Sequence, residues 1–205
     1  MPEVEASIAE RALKIAARQG IARARDFTAA GIAPLYIKQL IEEGRLIRLS
    51  RGLYQLPETA GTDANHDLAE VSKRAPGAVV CLLTALRFHG LTTQLPSHIW
   101  LMIPHKARAP RVESPGLVII RASSPAALRQ GVAREIIEGV AVPITTPAKT
   151  VADCFKYRNR IGLDIAIEAL QDLLRTRKAT RDELMKYAAI DRVAKVIRPY
   201  MEALS

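Results

Sequence analysis

Eight side chains in the first fifty-one residues have types and spacings suited to gripping a polyanion: Arg23, Arg25, Tyr36, Lys38, Gln39, Arg45, Arg48 and Arg51. The stretch "EEGRLIRLSRGLYQLP", Glu42 to Pro57, carries three of the arginines and no acid after its opening pair. Arg45, Arg48 and Arg51 each suit a phosphate, a contact that adds affinity and salt dependence without reading sequence. Tyr36, Lys38 and Gln39 suit base edges: glutamine pairs bidentately with adenine, and lysine donates to guanine. Arg23 and Arg25 sit where a duplex backbone would be contacted.

The elements that must position these residues follow from periodicity and punctuation. Ile8, Ala12, Ile15 and Ala16 recur at helical spacing until Gly20 ends the first helix. A short second helix is expected over about Arg25 to Ala30, ending at Gly31. Pro34 then opens a third helix that runs to Glu43 and stops at Gly44. Within it Ile37, Leu40 and Ile41 form the buried stripe, so Leu35, Lys38 and Gln39 face outward with Tyr36 on the flank. Leu46 to Leu49 and Leu53 to Leu56 follow as two strands joined at Ser50, Arg51 and Gly52. Helix, helix, tight turn, helix and basic hairpin is the order of a winged helix-turn-helix, whose third helix leads into the major groove with its N-terminal residues. The plain alternative is a protein-interaction module whose charge run is a solvated face.

The 205 residues include 30 Lys and Arg against 21 Asp and Glu, a net charge of +9 that makes a polyanion the first partner to consider. Residues 1 to 57 carry a net +3 and the remainder +6, so DNA binding rests on where the wing arginines sit rather than on bulk charge. Cys81 and Cys154 lie apart in apolar surroundings and in no CxxC, which reads as two reduced core residues of a cytosolic protein. No apolar run has signal or spanning length, so neither export nor a membrane is expected.

Pro, Gly, Thr, Asp and Asn cluster at "PETAGTDANHD", Pro57 to Asp67, and divide the chain into domains at residues 1–60 and 61–205. The second domain begins with a helix at His66 to Arg74, an apolar run at Ala78 to Leu83 and a helix through Arg87 broken at Gly90. Strands are expected at His98 to Ile103, Leu117 to Arg121, Arg134 to Glu138 and Val140 to Ile144. Thr146 reads as the cap of a helix opened by Pro147, and helices follow at Leu163 to Arg175, Thr180 to Ala189 and Arg192 to Leu204. The fold class is α+β: a winged helix-turn-helix followed by a mixed α/β domain with a largely antiparallel or mixed sheet.

The polar candidates for chemistry in this second domain are His89, Thr146, Lys149, Thr150 and Asp153. His89 precedes Gly90 at a helix end, where histidine usually binds carbonyls. Lys149 and Asp153 have the i, i+4 spacing of a helix ion pair, and a buried structural hydrogen bond suits Asp153 better than acid-base work. No HExxH, CxxC, GxGxxG or GxxxxGK[ST] is present, and Glu135 and Glu138 have no lysine at nuclease spacing, so no catalytic residue, metal or cofactor is expected. Two basic clusters remain. Lys156, Arg158 and Arg160 are explained by a helix dipole, whereas Lys106, Arg108 and Arg111 in "PHKARAPR" suit either a DNA footprint or an acidic protein surface.

These residues carry a resemblance. "GIARARDFTAAGIAPLYIKQLIEEGRLIRLSRGLYQLP" resembles the N-terminal winged-helix domain of AbiEi-type antitoxins, with its RGxYxLP close at Arg51, Gly52, Tyr54, Leu56 and Pro57. "LLTALRFHGLTTQLPSHIWLMIPHKARAPR" looks like the family's ALxxHGL segment, and "GVAVPITTPAKTVADCFKYRNRIGLDIAIEALQDLLR" like its (T/S)PxxTxxD segment and following helix. The three motifs stand in the family's order and span nearly the whole chain. The resemblance implies a type IV toxin-antitoxin system, in which the N-terminal domain binds inverted repeats in the promoter and represses the operon. It further implies that the C-terminal antitoxin domain counteracts a nucleotidyltransferase toxin, in the usual description without a stable complex. One departure is the recognition helix "PLYIKQLIEE", which has a single cation where related helices are often richer in arginine. The competing readings are a stand-alone winged-helix transcriptional regulator and a nucleic-acid-processing enzyme.

Overall fold

The structure is a computed structural model that describes residues 7–112 and 114–204; the acidic lead-in to the first helix lies outside them. Two units partition the chain: Met1–Pro76 with Glu135–Val142, and Gly77–Arg134 with Pro143–Ser205.

In the first unit, helix α1 (Ile8–Gln19) is opened by Ser7, whose hydroxyl accepts from the Glu10 N–H at 3.2 Å while the Glu10 carboxylate accepts from the Ser7 N–H at 2.9 Å. Ala12 and Ala16 are buried along it, whereas Ile8, on the same periodic stripe, is exposed at the end of the helix. Gly20 follows with φ 65°, where a side chain would collide with the Glu138 carbonyl. The chain then forms strand β1 (Ile21–Arg23), an element with no periodicity signal because three residues are too few to show one. Helices α2 (Ala24–Ala29) and α3 (Pro34–Glu42) come next, followed by strands β2 (Ile47–Ser50) and β3 (Leu53–Gln55). The sheet order is β1-β3-β2, so the hairpin gains a third strand, with Ile21 opposite Gln55 and Ile47 opposite Gln55 on the other side. A bulge between Arg48 and Ser50 shifts the register; Leu46 and Leu49, three residues apart, would fall on opposite faces of a regular strand. The core gathers Ala12, Ala16, Phe27, Ile32, Ile37, Leu40 and Leu46; Ile41 packs at its edge, less buried than its place in the stripe suggests. This is a winged-helix arrangement. Helix α4 (His66–Arg74) completes the run to Pro76.

A buried carboxylate organises this unit. Glu138 sits in a two-residue turn with Gly139, both at positive φ (47° and 76°), as a type I′ hairpin turn requires. The strand expected at Arg134 to Glu138 therefore ends one residue early, and Glu138 serves as an acceptor. Its side chain is 1% exposed. It receives the Gln55 amide at 2.7 Å, the Asp63 N–H at 3.0 Å and the His66 Nδ1 at 2.7 Å. Burial alone would push this carboxyl up; the hydrogen bonds from Gln55, Asp63 and His66 outweigh it and hold Glu138 below the usual carboxylate range.

The second unit opens with strand β4 (Val79–Val80) and helix α5 (Leu82–Phe88), then strands β5 (His98–Ile103) and β6 (Gly116–Arg121). Strands β7 (Val132–Ile137) and β8 (Val140–Thr145), whose residues Glu135–Val142 count with the first unit, lead into helices α6 (Pro147–Lys156), α7 (Arg158–Ile161), α8 (Leu163–Thr176), α9 (Arg181–Ile190) and α10 (Ala194–Ala203). The five-stranded sheet runs β6-β5-β4-β8-β7 and is mixed: β4 pairs antiparallel with β5 and parallel with β8, while β5 and β6 are parallel. Helix α6 is buried from Ala148 to Phe155, as expected of a central helix covered on all sides. Cys81 and Cys154 are free thiols in this core. Thr180 and Glu183 form the expected capping box, but Thr146 stands at the N-cap of α6 without capping through its side chain, its hydroxyl buried and without a partner among the described residues.

Polar groups inside this unit interlock. Lys149 is fully buried and donates to Asp153 and, at 3.2 Å, to Asp191; Lys156 donates to the other Asp191 oxygen at 2.9 Å. The i, i+4 pair is thus the buried structural contact expected for Asp153, and through Asp191 it ties α6 to the end of α9. Thr145 and Thr150 share a hydroxyl contact of 2.7 Å, and His89 Nε2 donates to the Thr145 carbonyl at 2.7 Å, linking the end of α5 to the end of β8. Burial pushes the Asp153 carboxyl up to about 7 despite Lys149, with the Asp191 charge adding to the rise. Asp191, which burial alone would raise, is held below the usual range by Lys149 and by hydrogen bonds from Asp153 and Lys156.

Two stability measurements follow from these clusters. Truncating Glu138→Ala leaves the Gln55, Asp63 and His66 donors unmatched. Chemical denaturation at neutral pH is expected to show a loss of about 3 kcal/mol. Because the Glu138 carboxyl is depressed, that gap closes as pH falls below the ordinary glutamate value of about 4.3. Asp153 has the opposite sign. Its raised carboxyl holds a proton in the folded state that the unfolded chain releases, so its stabilisation is complete below about 4 and lost as pH rises through about 7. The stability difference between wild type and Asp153→Asn should fall across that window by at most about 1.4 kcal/mol per pH unit.

Candidate nucleic-acid interface

The candidate residues are carried by three adjoining elements of the first unit. At the start of α2, the Asp26 carboxylate accepts the Arg23 N–H at 2.7 Å, which fixes the turn from β1 into the helix. Arg23 is half-buried, with its Nε enclosed and unpartnered among the described residues, while Arg25 is exposed on the first turn of α2. Gly31 at φ 73° then makes the tight turn, and Pro34 sets the first residue of α3. Ile37 and Leu40 anchor α3 to the core, so its opposite face is solvated.

On that face the cations are matched locally. Lys38 lies 3.5 Å from Glu42, one turn on, with both side chains largely exposed. The Gln39 amide donates to Glu43 at 2.9 Å, and Arg45 approaches the other Glu43 oxygen at 3.5 Å. Such exposed pairs contribute less than about 1 kcal/mol each, so they hold the side chains in place without locking them. The i, i+4 spacing of Lys38 with Glu42 and of Gln39 with Glu43 is the signal that could have revealed these partners in advance. Arg48 on β2 and Arg51 in the hairpin turn are exposed and take no part in an ion pair among the described residues.

Arg48, Lys38 and Tyr54 line one cleft with Phe27, Leu35 and Ile41, a space of about 650 Å³ bounded by α2, α3 and the hairpin. The fold therefore brings Lys38 and Arg48 to one surface. Tyr36 is 40% exposed beside it. Leu35 is 72% exposed and is the group on this helix whose exposure the outward-facing pattern anticipated without assigning it a task.

The two basic clusters of the second unit differ in kind. Arg158 donates to the Phe155 carbonyl at 2.8 Å, Lys156 pairs with Asp191, and Arg160 stacks 5.5 Å from the Trp100 ring centre. All three lie in the last turn of a helix, Lys156 in α6 and Arg158 and Arg160 in α7, as the helix-dipole account requires, and two of them have a further side-chain partner. Lys106, Arg108 and Arg111 are exposed in a loop whose course is pinned by Arg121, which donates to the carbonyls of His105 at 2.6 Å and Ala107 at 2.8 Å. Among the described residues no His, Cys, Asp and Glu side chains converge as a metal site, and no helix is long and apolar enough to cross a membrane.

Residues 10–57 match a family model described as "Transcriptional regulator, AbiEi antitoxin", and residues 78–199 match one described as "AbiEi antitoxin C-terminal domain". No curated protein matches the chain. Among solved structures, the crystal structure of the RV2827C protein from Mycobacterium tuberculosis is similar in fold, with a TM-score of 0.57 at 18% identity, over 89% of this chain and 71% of that one. With the C-terminal model alone spanning more than half its length, and a winged-helix unit ahead of it, this chain belongs to the AbiEi family of antitoxins and transcriptional regulators.

Proposed function

We propose that the protein is the antitoxin of a type IV toxin-antitoxin system, that it binds inverted repeats in its own promoter and represses the operon, and that it counteracts a nucleotidyltransferase toxin encoded beside it in the cytoplasm. The observation that carries the DNA reading is the pair Arg48 and Arg51, exposed on the hairpin and in no ion pair among the described residues, next to a recognition helix whose single cation, Lys38, is already paired with Glu42. In water an unmatched surface arginine has nothing to gain from its position; against a duplex it displaces a condensed counterion. On this reading residues 1–60 are the operator-binding domain and residues 61–205 the antitoxin domain. Arg45, Arg48 and Arg51 contact phosphates from the wing, Arg23 and Arg25 from the start of α2, and Tyr36, Lys38 and Gln39 face the bases, the last two exchanging Glu42 and Glu43 for DNA partners. Membership of the family supports this division of labour.

Binding to the protein's own upstream duplex, set against a scrambled duplex across a salt series, tests the reading. The upstream duplex should bind more tightly, and Arg48→Ala, Arg51→Ala together should lower the magnitude of the log-log salt slope by about 1.8. Equal binding to both duplexes, or an unchanged slope, would replace the operator reading with the interaction-module one. Co-expression with the adjacent nucleotidyltransferase separates the two roles: the double variant should lose repression of a promoter reporter and still relieve growth arrest.

A further inference from the structure

The leading end of the recognition helix is apolar. Pro34, Leu35, Tyr36 and Ile37 form the first turn of α3, which contains no acid, and the helix's one cation, Lys38, follows it. Ile37 is buried, but Leu35 is 72% exposed and borders the cleft whose walls also include Lys38 and Arg48. An exposed leucine alone requires no explanation. Here it lies at the second position of the helix whose N-terminal residues enter the major groove in winged-helix docking, with cations around it at phosphate-contact positions. The chemistry that an aliphatic side chain can read in that groove is narrow: among the four bases, only thymine presents a methyl group there.

Resting on the operator reading above, we infer that Leu35 is a specificity-determining residue that packs against the 5-methyl of a thymine, so that the protein selects a T·A pair by apolar contact at a position no hydrogen bond reads. Lys38 and Gln39 supply polar readout one turn further along the helix, and Arg48 holds the flank of the same cleft to the backbone. This also accounts for a recognition helix with a single cation: part of its discrimination is hydrophobic.

The test replaces every thymine of the upstream duplex with deoxyuridine, which keeps pairing and removes only the methyls. Wild type should bind the deoxyuridine duplex more weakly, by about fourfold for one lost methyl contact and more where both half-sites carry one. Leu35→Ala, folded as wild type by thermal denaturation because its side chain is solvated, should bind both duplexes equally and near the wild-type level on deoxyuridine DNA. Leu35→Met should retain the discrimination. If wild type binds the two duplexes alike, or Leu35→Ala discriminates as wild type does, the inference fails while preference for upstream over scrambled DNA keeps the operator reading intact. If wild type shows no preference for upstream over scrambled DNA, the operator reading falls and this inference falls with it.

Discussion

The first unit depends on one carboxylate. Glu138 is buried, carries a charge, and collects donors from the hairpin strand through Gln55, from the segment after the hairpin through Asp63, and from the next helix through His66. A charge this enclosed persists only when donors surround it, so the three segments must meet around it. Gln55 is fully buried and lies between β1 and β2 in the sheet, so the contact to Glu138 sets the strand from which the rest of the hairpin is measured. The positions of Arg48 and Arg51 are therefore inherited from an interaction that involves no cation of the interface.

The exposed face of α3 follows a different rule. Its pairs are solvent-exposed and weak, which allows Lys38, Gln39 and Arg45 to be ordered before any partner arrives and to change partner at small cost. A recognition surface ordered in this way loses less conformational freedom on binding than free lysine and arginine side chains would. Among the described residues Arg48 and Arg51 take part in no such pair, so the surface has two zones: a helix end neutralised locally, Arg45 included, and an unneutralised hairpin.

In the second unit the polar groups are turned inward. Lys149, Asp153 and Asp191 are shut away from solvent and pair with one another, one Asp153 oxygen being enclosed without a partner among the described residues, and buried Thr145 and Thr150 bond to each other while the partly buried His89 donates to the Thr145 carbonyl at the junction of β8, α5 and α6. Lys149, Thr150 and Asp153 belong to the TPAKTVAD segment and His89 to ALRFHG, and the structure uses them to join helices to strand ends in a core that is otherwise apolar. A buried cluster of this sort defines one packing arrangement more sharply than it stabilises it, because desolvation offsets much of the attraction.

What the amino-acid sequence determined by itself was local. Helix α3 opens at Pro34 and closes before Gly44, α9 begins at its Thr180–Glu183 box, and β5 occupies His98–Ile103, because caps, proline and side-chain period act within a few residues of one another. The outward face of α3 was legible for the same reason, as were two free core cysteines set in apolar runs. Tertiary structure alone decided the rest. Strand β1 exists because β3 offers it an edge more than thirty residues on, and Glu138 left its strand to become a buried acceptor because Gln55 stands 83 positions away in sequence and 2.7 Å away in space. The spacing of Lys149 and Asp153 marked them as a bonded pair, but not that Asp191, 42 residues from Lys149, joins them. Contacts across such separations leave no periodic trace along the chain, so only the folded arrangement reveals which polar residue is solvated and which is enclosed.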